Sequence, residues 1–183
     1  MTSIMEGLTK GMTPTFELIT KYKECPELLP TRATSHSAGY DFYVAEDIIV
    51  PSIKSFPGDT HIDSPLTLGE VANFTKETGY RPTLVPTGVK AYIPDDMYLQ
   101  LSVRSSCPLK SWLILANGVG VVDSDYYNNP DNEGHIFFQI INLFPQDIVL
   151  QKGEKIGQGI FLPYFTTGEE VAAKRLGGFG STS

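Results

Sequence analysis

Met97-Tyr98-Leu99-Gln100-Leu101-Ser102-Val103 decides the fold class. Met97, Leu99, Leu101 and Val103 alternate with Tyr98, Gln100 and Ser102, the period of two expected of a strand with one buried face. Working outward, strand-like runs recur at Phe16–Tyr22, Tyr40–Val44, Ile48–Val50, Leu84–Ile93, Ile136–Leu143, Ile148–Leu150 and Ile156–Leu162. Gly and Pro clusters separate them, the pattern of sandwiches, jelly rolls and barrels. One helix interrupts the series. Thr67 with Glu70 three residues on reads as a capping box, Val71, Ala72 and Phe74 give an apolar side, and Gly79 is the stop. It lies in a loop-like insertion, about 55–80. A second short helix is expected near Pro108, whose fixed φ suits a first turn, and it would bring Ser105 and Ser106 to a helix N-terminus.

The 183 residues, 41% of them apolar, fit a single β domain over about 14–173 that can bury a core without disulfide or metal staples. Residues 1–13 read as a loose N-terminal arm and 174–183 as a flexible C-terminal segment. Cys25 and Cys107 have no metal-ligand spacing around them and read as idle thiols in a reducing compartment. No apolar run approaches the ~18 residues of a membrane span, and MTSIMEGLTKGM lacks the order of a secretion signal, so a soluble, cytoplasmic protein is expected. A formal charge of −7 argues against binding a nucleic-acid backbone, which needs clustered Lys and Arg. A polyanionic substrate would need a local positive site or a metal.

Five segments carry more Gly, Ser, Asp and Arg than a plain β fold requires. They are Ser37-Ala-Gly-Tyr-Asp-Phe42, Val103-Arg-Ser-Ser-Cys107, Asn117 to Tyr126, Gly153-Glu-Lys-Ile-Gly-Gln158 and Arg175-Leu-Gly-Gly-Phe-Gly-Ser-Thr182. Each has a plain reading. Asp123 and Asp125 suit a turn, because Asp bonds its own backbone there. Arg104-Ser105-Ser106 could be a polar turn, Asp41 a salt-bridge or turn acid, Tyr126 a core or interface aromatic. In the chemical reading, Arg104 offers a forked, charge-assisted donor with two hydroxyls beside it, and Gly157 and Gly159 flank Gln158 so that a ligand could approach the backbone.

In this order and spacing the five segments resemble the motifs of the trimeric dUTPase family, from about Phe16 to Ser183. The resemblance implies a mostly β, distorted jelly-roll barrel with one or two short helices, a homotrimer, dUTP as substrate and Mg²⁺ as cofactor. It makes Asp123 the base that deprotonates a water for attack on the α-phosphorus, and has the hairpin of Asn117, Gly120, Val121 and Val122 read uracil, with the neighbourhood of Ile136 and Phe137 excluding a thymine methyl. Tyr126 would pack on deoxyribose. Arg104, Ser105, Ser106 and Gln158 would contact phosphate, and Asp41 would support the metal through water. The C-terminal segment would close over the site with Phe179, Gly180 and Ser181. Either Lys174 or Arg175 would reach the phosphates, since the family arginine stands where this chain has Lys174. Two insertions, about 55–80 and 127–134, read as surface loops able to host a regulatory protein partner. A dUTPase-fold regulator is therefore an alternative. A dCTP deaminase of the same fold is a weaker one, because Gln139 occupies the position of its catalytic glutamate.

Overall fold

The computed structural model describes residues 13–55 and 65–168. Twelve strands carry the fold among them: β1 Thr15–Leu18, β2 Thr31–Arg32, β3 Tyr40–Tyr43, β4 Ile48–Val50, β5 Thr83–Pro86, β6 Val89–Tyr92, β7 Met97–Val103, β8 Leu113–Leu115, β9 Gly120–Val122, β10 Phe137–Asn142, β11 Ile148–Leu150 and β12 Lys155–Pro163. Their ladders are antiparallel and fall into sheets of order β2-β3-β12-β7-β9, β5-β10-β8, β1-β6 and β11-β4. The mostly-β expectation holds, with two helices: α1 Leu68–Thr78 and α2 Ser106–Ser111. No described helix is long and apolar enough to cross a membrane.

The sheets close on one core. Phe42, Leu99, Leu101, Ile136, Phe138, Ile140 and Ile156 are buried in it, each worth about 1.5–3 kcal/mol on leaving water. Strand β12 is its centre, pairing with both β3 and β7. Gly157 and Gly159 face inward. A Cβ on Gly157 would lie 2.0 Å from the Phe138 ring, and one on Gly159 would lie 2.7 Å from Phe42. These glycines therefore admit core aromatics, which corrects the expectation that they clear space for a ligand.

Backbone chemistry explains the other departures from the sequence pattern. The run Leu84–Ile93 is two strands in different sheets, because Gly88 turns the chain at φ +74°, a conformation open chiefly to glycine. The run Phe16–Tyr22 is extended only to Leu18, then forms a 3₁₀ turn over Thr20–Tyr22. Strands β2 and β8 were too short to stand out from their loops. Helix α2 starts at Ser106, two residues before Pro108. Helix α1 has the expected reciprocal bonds between Thr67 and Glu70 and a left-handed Gly79 at φ 68°. Yet none of its residues is buried, so its caps rather than the core define its ends.

The loop 127–134 is also more than a surface excursion. Asn129 is buried, and beyond the loop the chain enters the core through His135, which is 6% exposed. His135 Nε2 accepts the Gly88 N–H at 2.9 Å, so the ring is neutral with its proton on Nδ1. Burial, and then the Lys21 charge, pushes its pKa from 6.5 down to about 4.

The unfolded chain thus binds the extra proton between pH 4 and 6.5. Stability conferred by the neutral ring is present above pH 6.5 and is lost as pH falls, by up to about 3 kcal/mol. Thermal melts should show Tm falling from pH 7 to pH 5. His135→Gln, which keeps an acceptor for Gly88, should flatten that slope, and parallel slopes in the two proteins would contradict the assignment.

Candidate active site

Three neighbouring strands build a cation-rich patch on the outer face of the five-stranded sheet. Gln158 stands opposite both Asp41 and Ser102 in the two ladders of β12, so the three side chains share a face. Gln158 Nε2 lies 3.3 Å from Ser102 Oγ and its amide rests over Gly39, whose added Cβ would meet Gln158 Oε1 at 2.7 Å. Asp41 is buried to 7% exposure. Arg104 Nε lies 3.2 Å from one of its oxygens, and Lys155 Nζ lies 2.8 Å from the other. Two cations against one carboxylate leave a net positive site in a chain of charge −7.

Lys155 was not singled out by the sequence, for a geometric reason. Residues 155 and 158 would point to opposite faces of a regular strand. The register shifts between Lys155 and Gly157, so Ile156 is an extra, buried residue of a β-bulge and Lys155 joins Gln158 on the outer face. The only visible clue was two consecutive inward-suited residues, Ile156 and Gly157. Beside the patch, Ser105 takes the N-cap position of α2 and Ser106 opens it. Cys107 just behind is buried and donates its thiol to the Ile156 carbonyl at 3.3 Å; desolvation raises its pKa, as suits an idle thiol.

The hairpin forms a second centre. Strand β8 pairs with β10 while β9 pairs with β7, so the connection Ala116–Val119 bridges two sheets. Gly118 turns it at φ 68°, and Ala116 N–H donates to the Gln139 carbonyl at 2.8 Å. Under the hairpin is a cavity of about 30 Å³ lined by Leu101, Leu115, Asn117, Gly120, Val121, Val122, Phe137 and Gln139. It gathers five of the expected base-reading residues and adds Gln139. As it stands it has room for a water or two. Gly120 lies tight on β7, where a Cβ would sit 3.0 Å from that of Leu101. Strand β9 ends its sheet, which leaves one side of its backbone for something other than a strand.

Asp123 follows β9 immediately and lines an open cavity of about 510 Å³ with Tyr98, Val121, Ser124, Asp125 and Tyr164. Tyr126 closes the 3₁₀ turn after it and is 3% exposed. Its hydroxyl donates to the His135 carbonyl at 2.8 Å and accepts from Asn132 Nδ2 at 2.8 Å. Those loop asparagines, like Lys155, were not among the sequence candidates. Lys174, Arg175, Phe179, Gly180 and Ser181 lie outside the described residues, as does most of the expected N-terminal arm.

The acidic end of the hairpin, at Asp123, does not meet the cation patch within one chain. Val122 pairs with Leu99, and Arg104 lies five residues further along the chain, just past the end of β7. At ~3.4 Å per residue the Asp123 end and the Arg104 end are about 17 Å apart, longer than a triphosphate with its attacking water.

A mostly β fold with a water-sized cavity under a hairpin and a separate cation-rich patch suited to phosphate defines a class: β-fold proteins equipped to take an anionic ligand. Within it the assignment is specific, for the dUTPase family model matches residues 70–183 and the chain belongs to the dUTPase family. The chain is 42% identical over 170 residues, 91% of its length, to deoxyuridine 5'-triphosphate nucleotidohydrolase of Lactococcus lactis, covering 95% of that protein. It is similar to the crystal structure of dUTPase from Streptococcus mutans, with a TM-score of 0.68 and 42% identity over 85% of this chain and 99% of that one. A dUTPase from phage phi11 of S. aureus, 16% identical with a TM-score of 0.58 over 88% of this chain and 98% of that one, shares the fold.

Because Asp41 is the counter-charge to both cations, Asp41→Asn should lower stability by on the order of 1–2 kcal/mol, given the partial exposure of Arg104 and Lys155. A urea midpoint that falls at constant m would report it. An unchanged midpoint would mean the pairs contribute nothing net.

Proposed function

We propose that the protein hydrolyses dUTP to dUMP and pyrophosphate in sites assembled between copies of the chain in a homotrimer. Family membership and the 42% identity to the Lactococcus nucleotidohydrolase support the reaction. The observation that carries the assembled site is the separation of Asp123 from the Arg104–Lys155–Gln158 patch along β7. A base gripped under one hairpin would bring its α-phosphorus to Asp123 of that chain, while a neighbouring copy supplies the patch for the outer phosphates.

The chemistry asked of each residue is modest. Asp123 orients a water and takes its proton as the water attacks in line with the leaving pyrophosphate. Arg104, Ser105, Ser106 and Gln158, with Lys155 behind Asp41, hold phosphate oxygens and offset the charge that builds on them. Asn117 and the open backbone edge of β9 meet the donor–acceptor edge of uracil; cytosine would leave buried polar groups unpaired and is rejected strongly. Gly120 and Phe137 crowd the space a thymine methyl would need. Tyr126 stands under the sugar. From the C-terminal segment, Phe179, Gly180, Ser181 and either Lys174 or Arg175 close over the nucleotide and exclude water.

A divalent ion fits this arrangement only in one manner. The described residues contain no cluster of three His, Cys, Asp or Glu groups, and both oxygens of Asp41 face cations. Such a donor set suits Mg²⁺ held by the triphosphate and water, with Asp41 as the nearby acid. When bound, Mg²⁺ supplies charge neutralisation on the phosphates. A structural Mg(II) ion belongs to the phi11 phage dUTPase. A cytoplasmic enzyme of this kind keeps uracil out of DNA and provides dUMP for thymidylate synthesis. Gln139 at the base cavity, a neutral amide, cannot shuttle the proton that a deaminase requires.

Two measurements test the proposal. Pyrophosphate release in Mg²⁺ should be fast with dUTP and slower by about two orders of magnitude or more with dCTP, and Asp123→Asn should reduce kcat by roughly 10²–10⁴-fold while dUTP binding persists. Equal turnover of all nucleotides, or an unaffected kcat, would refute it. In addition, Asp123→Asn and Arg104→Ala chains, each inactive alone, should regain activity when unfolded and refolded together, since mixed assemblies contain some intact sites. Absence of rescue in assemblies shown to be mixed would mean that each site is built from a single chain.

A further inference from the structure

We propose that Asn132, in the loop 127–134, is a positioning residue that holds Tyr126 rigid and thereby sets discrimination against ribonucleotides. The inference rests on Tyr126 facing the sugar, as in the reading above, and concerns what keeps it there. The loop grips Tyr126 at both ends. Asn132 Nδ2 donates to the phenol oxygen at 2.8 Å, and Asn129 Nδ2 lies 3.2 Å from the Tyr126 carbonyl oxygen. The phenol proton goes to the His135 carbonyl at 2.8 Å, so the hydroxyl both donates and accepts within the protein.

The gripping amides are themselves fixed. Asn132 Oδ1 accepts from Asn129 Nδ2 at 2.8 Å and from Gly134 N–H at 3.0 Å, while Asn129 Oδ1 accepts the N–H groups of Asp131 and Asn132. Glu133 N–H returns to the Asn129 carbonyl at 3.0 Å, and His135 N–H to that of Asn132 at 3.0 Å. Gly134, at φ +80°, lies so close to the Tyr126 carbonyl that a Cβ would stand 2.6 Å from it. Asn128 and Glu133 also adopt positive φ, 56° and 62°, conformations that cost energy outside glycine and persist only where surrounding bonds impose them. This is more hydrogen bonding than a connecting loop needs, and it converges on one ring.

The consequence concerns selectivity. A ring free to tilt would make room for a 2′-hydroxyl, whereas a ring tied at its backbone and its tip turns that hydroxyl into a clash. Loosening the tip should therefore help UTP more than dUTP. A purely structural role would instead lower turnover of both in parallel.

The test is the ratio of kcat/KM for dUTP to that for UTP. Asn132→Ala should lower the ratio by about tenfold, the scale of one relieved steric misfit. Asn132→Asp, which keeps an acceptor for Asn129 and Gly134 but removes the donor to Tyr126, should do the same and guards against a loop that collapses on truncation. Tyr126→Phe should lower the ratio too, and adding Asn132→Ala to it should cause no further fall, because the hydroxyl through which Asn132 acts is already gone. A ratio unchanged by both Asn132 variants, or an equal further fall in the Tyr126→Phe background, overturns the inference. Tyr126→Ala separates the failures: if it lowers the ratio while the Asn132 variants do not, the sugar contact stands and the positioning role falls; if it leaves the ratio unchanged, both fall.

Discussion

Strand β12 can pass between β3 and β7 because Gly157 and Gly159 carry no side chain where the rings of Phe138 and Phe42 lie. Any larger residue at Gly157 would have to displace a fully buried aromatic, in an interior packed as densely as an organic crystal. That close packing seats β10 over the five-stranded sheet, and β10 in turn carries Phe137 and Gln139 into the cavity beneath the hairpin. On the opposite face the same strand presents Gln158. One strand thus serves the core with its glycines and the patch with the residue between them, and the bulge at Ile156 adds Lys155 to that patch.

Electrostatics follow from this placement. A chain of net charge −7 would repel a triphosphate at long range. The patch reverses the sign locally by setting Arg104 and Lys155 around a single buried carboxylate. Asp41 keeps the two cations apart and oriented, so their charge is available at a defined place rather than on mobile side chains. The acidic end of the hairpin lies at the far end of β7, where Asp123 and Asp125 do not neutralise the patch.

Much of this was legible in the sequence because it depends on local rules. The alternation from Met97 to Val103 reports a half-buried strand whatever its partners are. The Thr67–Glu70 capping box and Gly79 delimit α1 through bonds made within a few residues. The order of the five motif segments led to the family and to the hairpin residues that do converge on the cavity. Reading stopped where the outcome depends on distant groups. Leu84–Ile93 looks continuous until Gly88 has to bond His135, a residue 47 positions away. Lys155 looks misfaced until the bulge inverts it. Asn129 and Asn132 look like polar loop residues, and only the loop's closure around Tyr126 buries Asn129 and ties Asn132 to the phenol.

The sequence by itself therefore determined the β class, the capped helix α1 and the short helical turn at Pro108, the family, and which residue types were available for nucleotide chemistry, since these follow from periodicity, local backbone chemistry and motif order along the chain. Only the tertiary structure decided that Arg104 and Lys155 share Asp41, that Asp123 and the cation patch sit at opposite ends of β7, and that the loop 127–134 clamps Tyr126. The physical reason is the same in each case. Ladder register, a one-residue bulge and the burial of polar groups are settled by which strands become neighbours in space, and that depends on the whole core packing at once.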